Sequence, residues 1–142
     1  MEIFIKNFTR RKNPPFKVWL EGFLSFGKES RLFGLPSRGE ISVAVVGEKK
    51  MAQINEIYRR QIGPTDVLSF AYLKDRGFLD GELVFCPTVI EKRAKASGVS
   101  FQTEWRRDFV HGMLHLLGWE HGKKMFDQQE KCLEFLARKK QK

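Results

Sequence analysis

The chain has 142 residues, of which 42% are hydrophobic, with 13 Phe and 3 Trp among them. This composition excludes a disordered chain and provides enough apolar material for the core of one domain. Lysine and arginine outnumber aspartate and glutamate by 26 to 17, so the formal net charge is +9. Such a balance favours a polyanionic partner, and RNA or DNA above all, over a cationic peptide.

The start of the chain predicts a strand, because residues 3–8 alternate apolar and polar side chains. After Pro14-Pro15 a helix is expected, since Phe16, Trp19, Leu20, Phe23 and Leu24 recur at helical spacing. The further predicted strands cover 40–46, 67–72 and 82–85, with loops at 34–39 and 73–80, and the further predicted helices cover 49–58, 87–96, 102–117 and 125–138. The order β-α-β-α-β-β-α-α-α predicts one α+β domain over residues 1–142, with a mixed sheet of about four strands and about five helices.

Neither end of the chain suggests a membrane or a secretory route. No apolar run approaches the roughly 20 residues that cross a bilayer, and the first residues lack the basic start of a signal peptide. Cys86 and Cys132 are the only cysteines, and neither belongs to a CxxC pair. We therefore expect a cytoplasmic protein without membrane contact and with buried free thiols, although the sequence leaves a Cys86–Cys132 disulfide open.

All three histidines lie within one stretch, with the spacing HxxxHxxGxxH. His111 and His115 are four residues apart, so on a helix they lie one turn apart on the same face. Gly118 can adopt the positive φ that often ends a helix, and such a turn would bring His121 back to the other two. Three protein ligands leave one position open for water or substrate, which predicts a catalytic metal site. The donor set alone suits Zn²⁺, Ni²⁺, Co²⁺ or Fe²⁺.

The same ligand spacing occurs in the metzincin zinc proteases, which carry glutamate directly after the first histidine as the general base. Here that position is Gly112, which cannot accept a proton. A metallopeptidase therefore lacks its usual base, unless a carboxylate from elsewhere in the chain replaces it.

Four segments in a fixed order point to a more specific relative: NEIYR at 55–59, PTDVLSF at 64–70, GEL at 81–83 and HGMLHLLGWEH at 111–121. They closely resemble the signatures of the YbeY family of bacterial endoribonucleases, which are NxxYR, PTDVLSF, a GDI-like strand start and HGxLHLLGxDH. The resemblance runs from about residue 40 to the C-terminus. Its second and fourth motifs are highly specific.

This resemblance implies a metal-dependent endoribonuclease that acts on single-stranded RNA in the maturation of small-subunit ribosomal RNA and in ribosome quality control. It implies a zincin-like core in which His111, His115 and His121 bind one divalent ion per chain, usually Zn²⁺. It also implies that Arg59 is important for activity, and that the small ribosomal subunit and the GTPase Era are partners. A planar guanidinium suits a scissile phosphate, whereas water and the 2′-hydroxyl both remain open as the nucleophile.

Several polar residues allow both a functional and a plain interpretation. Arg59 next to Arg60 also fits a solvated helix end, and Asp66 and Ser69 also fit a turn and an outward strand position. A carboxylate often orients a ligand histidine, and the sequence does not choose among the candidates Asp66, Glu82, Asp108 and Glu120. Glu82 and Glu120 replace aspartates of the family pattern, and Gly122-Lys123-Lys124 makes the mouth of the site more basic.

Two other functions stay open beside the endoribonuclease. A non-catalytic ribosome-assembly factor would use the metal to hold the last helices together and the basic surface to bind ribosomal RNA. The metallopeptidase, disfavoured by Gly112, is the third.

Overall fold

A four-stranded sheet lies at the centre of the protein, whose computed structural model describes residues 1–140. The strands are β1 (Glu2–Asn7), β2 (Arg38–Val45), β3 (Val67–Asp75) and β4 (Phe78–Phe85). Their order is β1-β2-β4-β3, in which β1 runs parallel to β2 and β2 parallel to β4. Only β3 runs antiparallel, so the sheet is mixed. Because β3 pairs with β4 alone, it forms one edge of the sheet.

Five helices accompany the sheet in the described part of the chain. They are α1 (Phe16–Ser30), α2 (Glu48–Arg59), α3 (Pro87–Ser97), α4 (Phe101–Leu116) and α5 (Lys123–Lys140). Pro87 begins α3, where its missing N–H costs no helical hydrogen bond. Ser100 caps α4, because its side chain accepts a hydrogen bond from the N–H of Thr103 at 3.1 Å.

The two faces of the sheet bury different sets of side chains, because successive residues of a strand point to opposite sides. On one face, Ile41, Val43 and Leu83 join residues of α1, α3, α4 and α5 in the larger core. On the other face, Val84 and Leu68 pack against Met51 of α2 in a smaller cluster. Helix α2 therefore lies on the opposite side of the sheet from the helix that carries His111 and His115.

The predicted α+β class, with four strands in a mixed sheet and five helices, is confirmed. The polar loop predicted at 73–80 is wrong, since β3 and β4 continue as a hairpin to a tight turn at Arg76-Gly77, where both φ angles are positive. The end of β3 is exposed and lacks apolar alternation, whereas on β4 Leu79 is buried in the core and alternates with partly buried residues. Both cysteines are buried and free, so the disulfide left open by the sequence does not form.

Helix α4 approaches the sheet closely at Gly112. A Cβ at this position would lie 2.7 Å from Cδ2 of Leu83 and 3.5 Å from Cγ2 of Val67. A side chain at residue 112 would therefore point into the packed sheet, and a glutamate there would not serve as a general base at the histidines.

No helix among the described residues is long and apolar enough to span a membrane.

Candidate metal centre

Helix periodicity and one glycine turn bring the three histidines together. His111 and His115 lie one turn apart on α4, and their Nε2 atoms are 3.1 Å from each other. Gly118 has a φ of 98°, and the chain after it returns so that the His121 ring centroid lies 4.3 Å from that of His115. One ligand atom from each of the three residues lies within 4.8 Å of the others.

The orientations of two of the rings are set by hydrogen bonds at the nitrogen that faces away from the triad. Nδ1 of His111 donates to Oε1 of Gln129 at 2.8 Å, and Nδ1 of His115 donates to the carbonyl of Trp119 at 3.0 Å. An amide oxygen and a carbonyl can only accept, so each Nδ1 carries the hydrogen. Both Nε2 lone pairs are therefore free and point to the same place, as a metal ligand requires.

The donor set fits a divalent ion. Two ligands about 2.0–2.1 Å from a tetrahedral Zn²⁺ lie roughly 3.3 Å apart, close to the 3.1 Å between the two Nε2 atoms. Burial lowers the pKa of His115, and the nearby imidazoles and the positive charge of Arg59 lower it further. The ring is thus held in the neutral form that binds metal.

Gln129 is a residue of the candidate site that sequence reasoning missed. None of the four carboxylates considered for this role makes a hydrogen bond to His111 or His115 among the described residues; an amide and a backbone carbonyl do so instead. The sequence did contain a signal for a buried polar contact here, because Gln129 is a polar residue between Met125 and Cys132 on the buried face of α5. A buried amide on an apolar stripe needs a hydrogen-bond partner.

Arg59 ends α2 and extends across the free edge of β3 toward the triad. Its Nη2 donates to the carbonyl of Ser69 at 2.8 Å, and its guanidinium carbon lies 5.5 Å from the ring centroid of Phe70. Arg59 lines the same cleft as the three histidines, and its positive charge contributes to lowering the pKa of His115. A guanidinium has five N–H donors, and the hydrogen bond to Ser69 uses one of them.

A pair of carboxyl groups, Asp108 on α4 and Asp66 just before β3, lies near the histidines in the same cleft. Asp108 is 6% exposed, and burial, then the charge of Asp66, raise its pKa to about 10, so Asp108 is protonated at neutral pH. Burial opposes the ionisation of Asp66, but hydrogen bonds, first from Asp108, and the charge of Arg93 lower its pKa. Asp66 is therefore the ionised partner, and its Oδ2 lies 2.8 Å from Nη1 of Arg93.

The histidines, Arg59 and the carboxyl pair line one cleft of about 950 Å³. Its floor is α4, and its other walls come from the end of α2 and the segment that leads into β3. The sequence motifs NEIYR, PTDVLSF and HGMLHLLGWEH therefore meet in space, although about 50 residues separate the first from the last.

The model of the family described as Endoribonuclease YbeY matches residues 5–137 of this chain. The chain belongs to the YbeY family. The predicted resemblance is thereby confirmed, and it extends well before residue 40, where the sequence analysis placed its beginning. The assignment fits the cleft, in which the family motifs converge around the histidines.

Individual YbeY relatives agree with the family model. The chain is 34% identical over 109 residues to the Endoribonuclease YbeY of Methylococcus capsulatus, covering 75% of this chain and 66% of that one. It is also 34% identical over 92 residues to the enzyme of the same name from Francisella philomiragia, covering 60% and 58%. The matched part thus spans a little under two thirds of these curated relatives. Their names do not favour the assembly factor or the metallopeptidase.

A solved structure shares the fold. The solution structure of TM1509 from Thermotoga maritima superposes with a TM-score of 0.64 and 26% identity, covering 98% of this chain and 91% of that one.

The departures from the YbeY pattern fall at different places. Glu120 is exposed, next to His121, and Lys123 and Lys124 are exposed in the first turn of α5. Glu82 lies on β4 and accepts a hydrogen bond from the hydroxyl of Tyr72 at 2.5 Å. None of these exchanges removes a member of the histidine triad.

Proposed function

We propose that this protein is a metal-dependent endoribonuclease that cleaves single-stranded RNA in the maturation of small-subunit ribosomal RNA. The observation that carries the proposal is the arrangement of His111 and His115, whose Nε2 atoms converge at 3.1 Å while their Nδ1 atoms are tied to Gln129 and Trp119. Family membership supports RNA as the substrate, and so does the net charge of +9.

In this proposal His111, His115 and His121 hold one divalent ion per chain, which we propose to be Zn²⁺. When bound, such an ion supplies Lewis acidity toward a phosphoryl oxygen and lowers the pKa of water. Gln129 and the Trp119 carbonyl keep two of the rings in the binding tautomer.

Arg59 is proposed to hold the scissile phosphate. Its hydrogen bond to Ser69 and its position over Phe70 restrict the side chain before substrate arrives. A guanidinium fixed in this way can bind two phosphate oxygens and stabilise the negative charge that develops in the transition state. The 2′-hydroxyl and water are both compatible with this role for Arg59.

The cellular location and the protein partners are proposed from family membership alone. We propose that residues 1–142 act as one domain in the cytoplasm, with the small ribosomal subunit and the GTPase Era as partners.

The experiment compares cleavage of a single-stranded RNA by zinc-reconstituted wild type and by three variants. His115→Ala removes a ligand and is expected to abolish cleavage. Arg59→Gln is expected to lower kcat/KM by roughly 10²–10³-fold, the typical cost of losing one transition-state donor. Arg60→Gln removes the same charge from the next residue, which is exposed, and should leave the rate close to that of wild type.

All variants must pass through one purification, because a contaminating ribonuclease would cut equally in every lane. Equal cutting by wild type and His115→Ala would refute a catalytic metal. Absence of cutting by wild type with Zn²⁺, Ni²⁺, Co²⁺ and Fe²⁺ would refute the enzymatic assignment. Parallel titrations with each ion would identify the one that supports activity at the lowest free concentration.

A further inference from the structure

Three aromatic side chains form a row on the α2 face of the sheet, across the free edge of β3 from the cleft, which we call the aromatic row: Tyr58, Phe70 and Tyr72. The Tyr58 and Phe70 rings meet edge to face, with centroids 5.5 Å apart, and the Phe70 and Tyr72 rings are nearly parallel, with centroids 6.4 Å apart and 11° between their planes. Tyr58 comes from the last turn of α2, and the other two come from β3.

Two rings of this row are largely open to solvent. Tyr58 is 66% exposed and Tyr72 is 63% exposed, whereas Phe70 is partly buried against the smaller core cluster. The exposure follows from the fold, because α2 covers this face of the sheet only as far as its end at Arg59. Large aromatic rings that stay exposed side by side indicate a surface used for binding.

The row is held in place before any ligand arrives. The Tyr72 hydroxyl donates to Oε1 of Glu82 on the neighbouring strand at 2.5 Å, which restricts the ring. Phe70 is fixed from below by the core and from one side by the Tyr58 ring. Binding to such a surface loses little side-chain entropy, so ring contacts contribute most of their energy to affinity.

Arg59 joins the aromatic row to the metal centre. Its guanidinium carbon lies 5.5 Å from the Phe70 centroid, its Nη2 donates to Ser69 on the cleft wall, and Arg59 lines the same cleft as the three histidines. A chain whose phosphate sits at Arg59 can continue over the free edge of β3 and place its next groups over Phe70 and Tyr72. The carboxylates of Glu82 and Asp80 near Tyr72 disfavour phosphate on this side, so neutral groups with flat faces fit it best.

We propose that the aromatic row stacks unpaired bases of the RNA strand next to the scissile phosphate. The inference rests on the proposed function and adds to it the surface that selects single strands. A base within a duplex is already stacked on both faces, whereas an unpaired base offers a face to Tyr58, Phe70 or Tyr72. Stacking of this kind is tolerant of sequence, because every base has a π-face.

The experiment separates base contacts from phosphate contacts in the zinc-loaded protein. It measures by fluorescence anisotropy the Kd of an unstructured 2′-O-methyl 10-mer and of an abasic 10-mer with the same number of phosphates. Wild type should bind the base-containing strand roughly tenfold more tightly or better, since stacking on an aromatic side chain contributes about 5- to 150-fold per base.

The double variant Tyr58→Leu/Tyr72→Leu keeps apolar bulk but removes two ring faces. It should lose about tenfold in affinity for the base-containing strand and none for the abasic strand, with an unchanged dependence on salt. Phe8→Leu is the matched control, because Phe8 is 72% exposed and lies beyond β1 at the opposite edge of the sheet. Its two Kd values should equal those of wild type.

Equal affinity of wild type for the two strands would overturn the proposal, and so would an equal loss by the double variant for both. These binding results are independent of cleavage. A protein that prefers bases but does not cut unmodified RNA would refute the proposed enzyme while supporting the stacking surface.

Discussion

Replacing Asp108 by asparagine should make the protein more stable at neutral pH. The folded protein keeps a proton on Asp108 because its pKa is raised to about 10, first by burial and then by Asp66, whereas in the unfolded chain the pKa is near 3.8. Between these two values folding therefore takes up a proton. Stability is greatest below the unfolded pKa and falls as the pH rises toward the folded pKa.

The size of this loss in unfolding free energy follows from the difference between the pH and the pKa of Asp108 in the unfolded chain. Each pH unit above 3.8 removes about 1.4 kcal/mol of unfolding free energy while Asp108 stays protonated in the fold. At pH 7, about three units higher, the total is about 4 kcal/mol. Asparagine has nearly the same shape, can still donate to Asp66, and has no proton to lose, so Asp108→Asn should recover about this amount at pH 7 and well under half of it at pH 5.

Urea denaturation at pH 5, 7 and 9, with chelator in every sample, measures this effect without a contribution from bound metal. Asp127→Asn is the control, because Asp127 is an exposed aspartate on α5, and its unfolding free energy should stay within about 0.5 kcal/mol of wild type. The lowered pKa of Asp66 adds stability that is lost only at acid pH, below this range. An Asp108→Asn variant that is less stable than wild type at pH 7, or equally dependent on pH, would show that Asp108 is ionised in the fold.

Three further predictions concern the metal centre and the core. Gln129→Ala removes the acceptor for Nδ1 of His111 and should weaken metal affinity by roughly 10–100-fold in competition with a chelating indicator; unchanged affinity would contradict the role of Gln129. Gly118→Ala and Gly63→Ala both place a side chain at positive φ, at 98° and 87°, and should each cost about 1–2 kcal/mol in urea denaturation. Only Gly118→Ala should also weaken metal binding, since the turn at Gly118 returns His121, and equal metal affinities would argue against that. Cys86 and Cys132 are fully buried, and burial raises the pKa of the Cys132 thiol to about 12, so a thiol reagent should titrate two thiols in denaturant and none in the native protein within minutes.

The sequence alone was sufficient for the histidine triad, because its geometry is local. A spacing of four residues on a helix places His111 and His115 on one face, and a glycine three residues later allows the turn that returns His121. The alternating and helical periodicities likewise predicted the α+β class and nearly all the elements. The tip of the β3–β4 hairpin was the exception, since the end of β3 is exposed and is paired mainly through its backbone.

The tertiary structure decided which side chains from different elements meet. Gln129 reaches His111 only because α5 packs on α4, and Asp108 meets Asp66 only because α4 packs beside the segment that leads into β3. Arg59 contacts Ser69 because α2 ends at the edge of β3. Periodicity within an element shows which face is buried, whereas the approach of two elements depends on how their side chains interlock over the whole core. For that reason the candidate metal ligands were visible in the sequence, while the residues that orient them and the aromatic row across the edge of β3 emerged only from the fold.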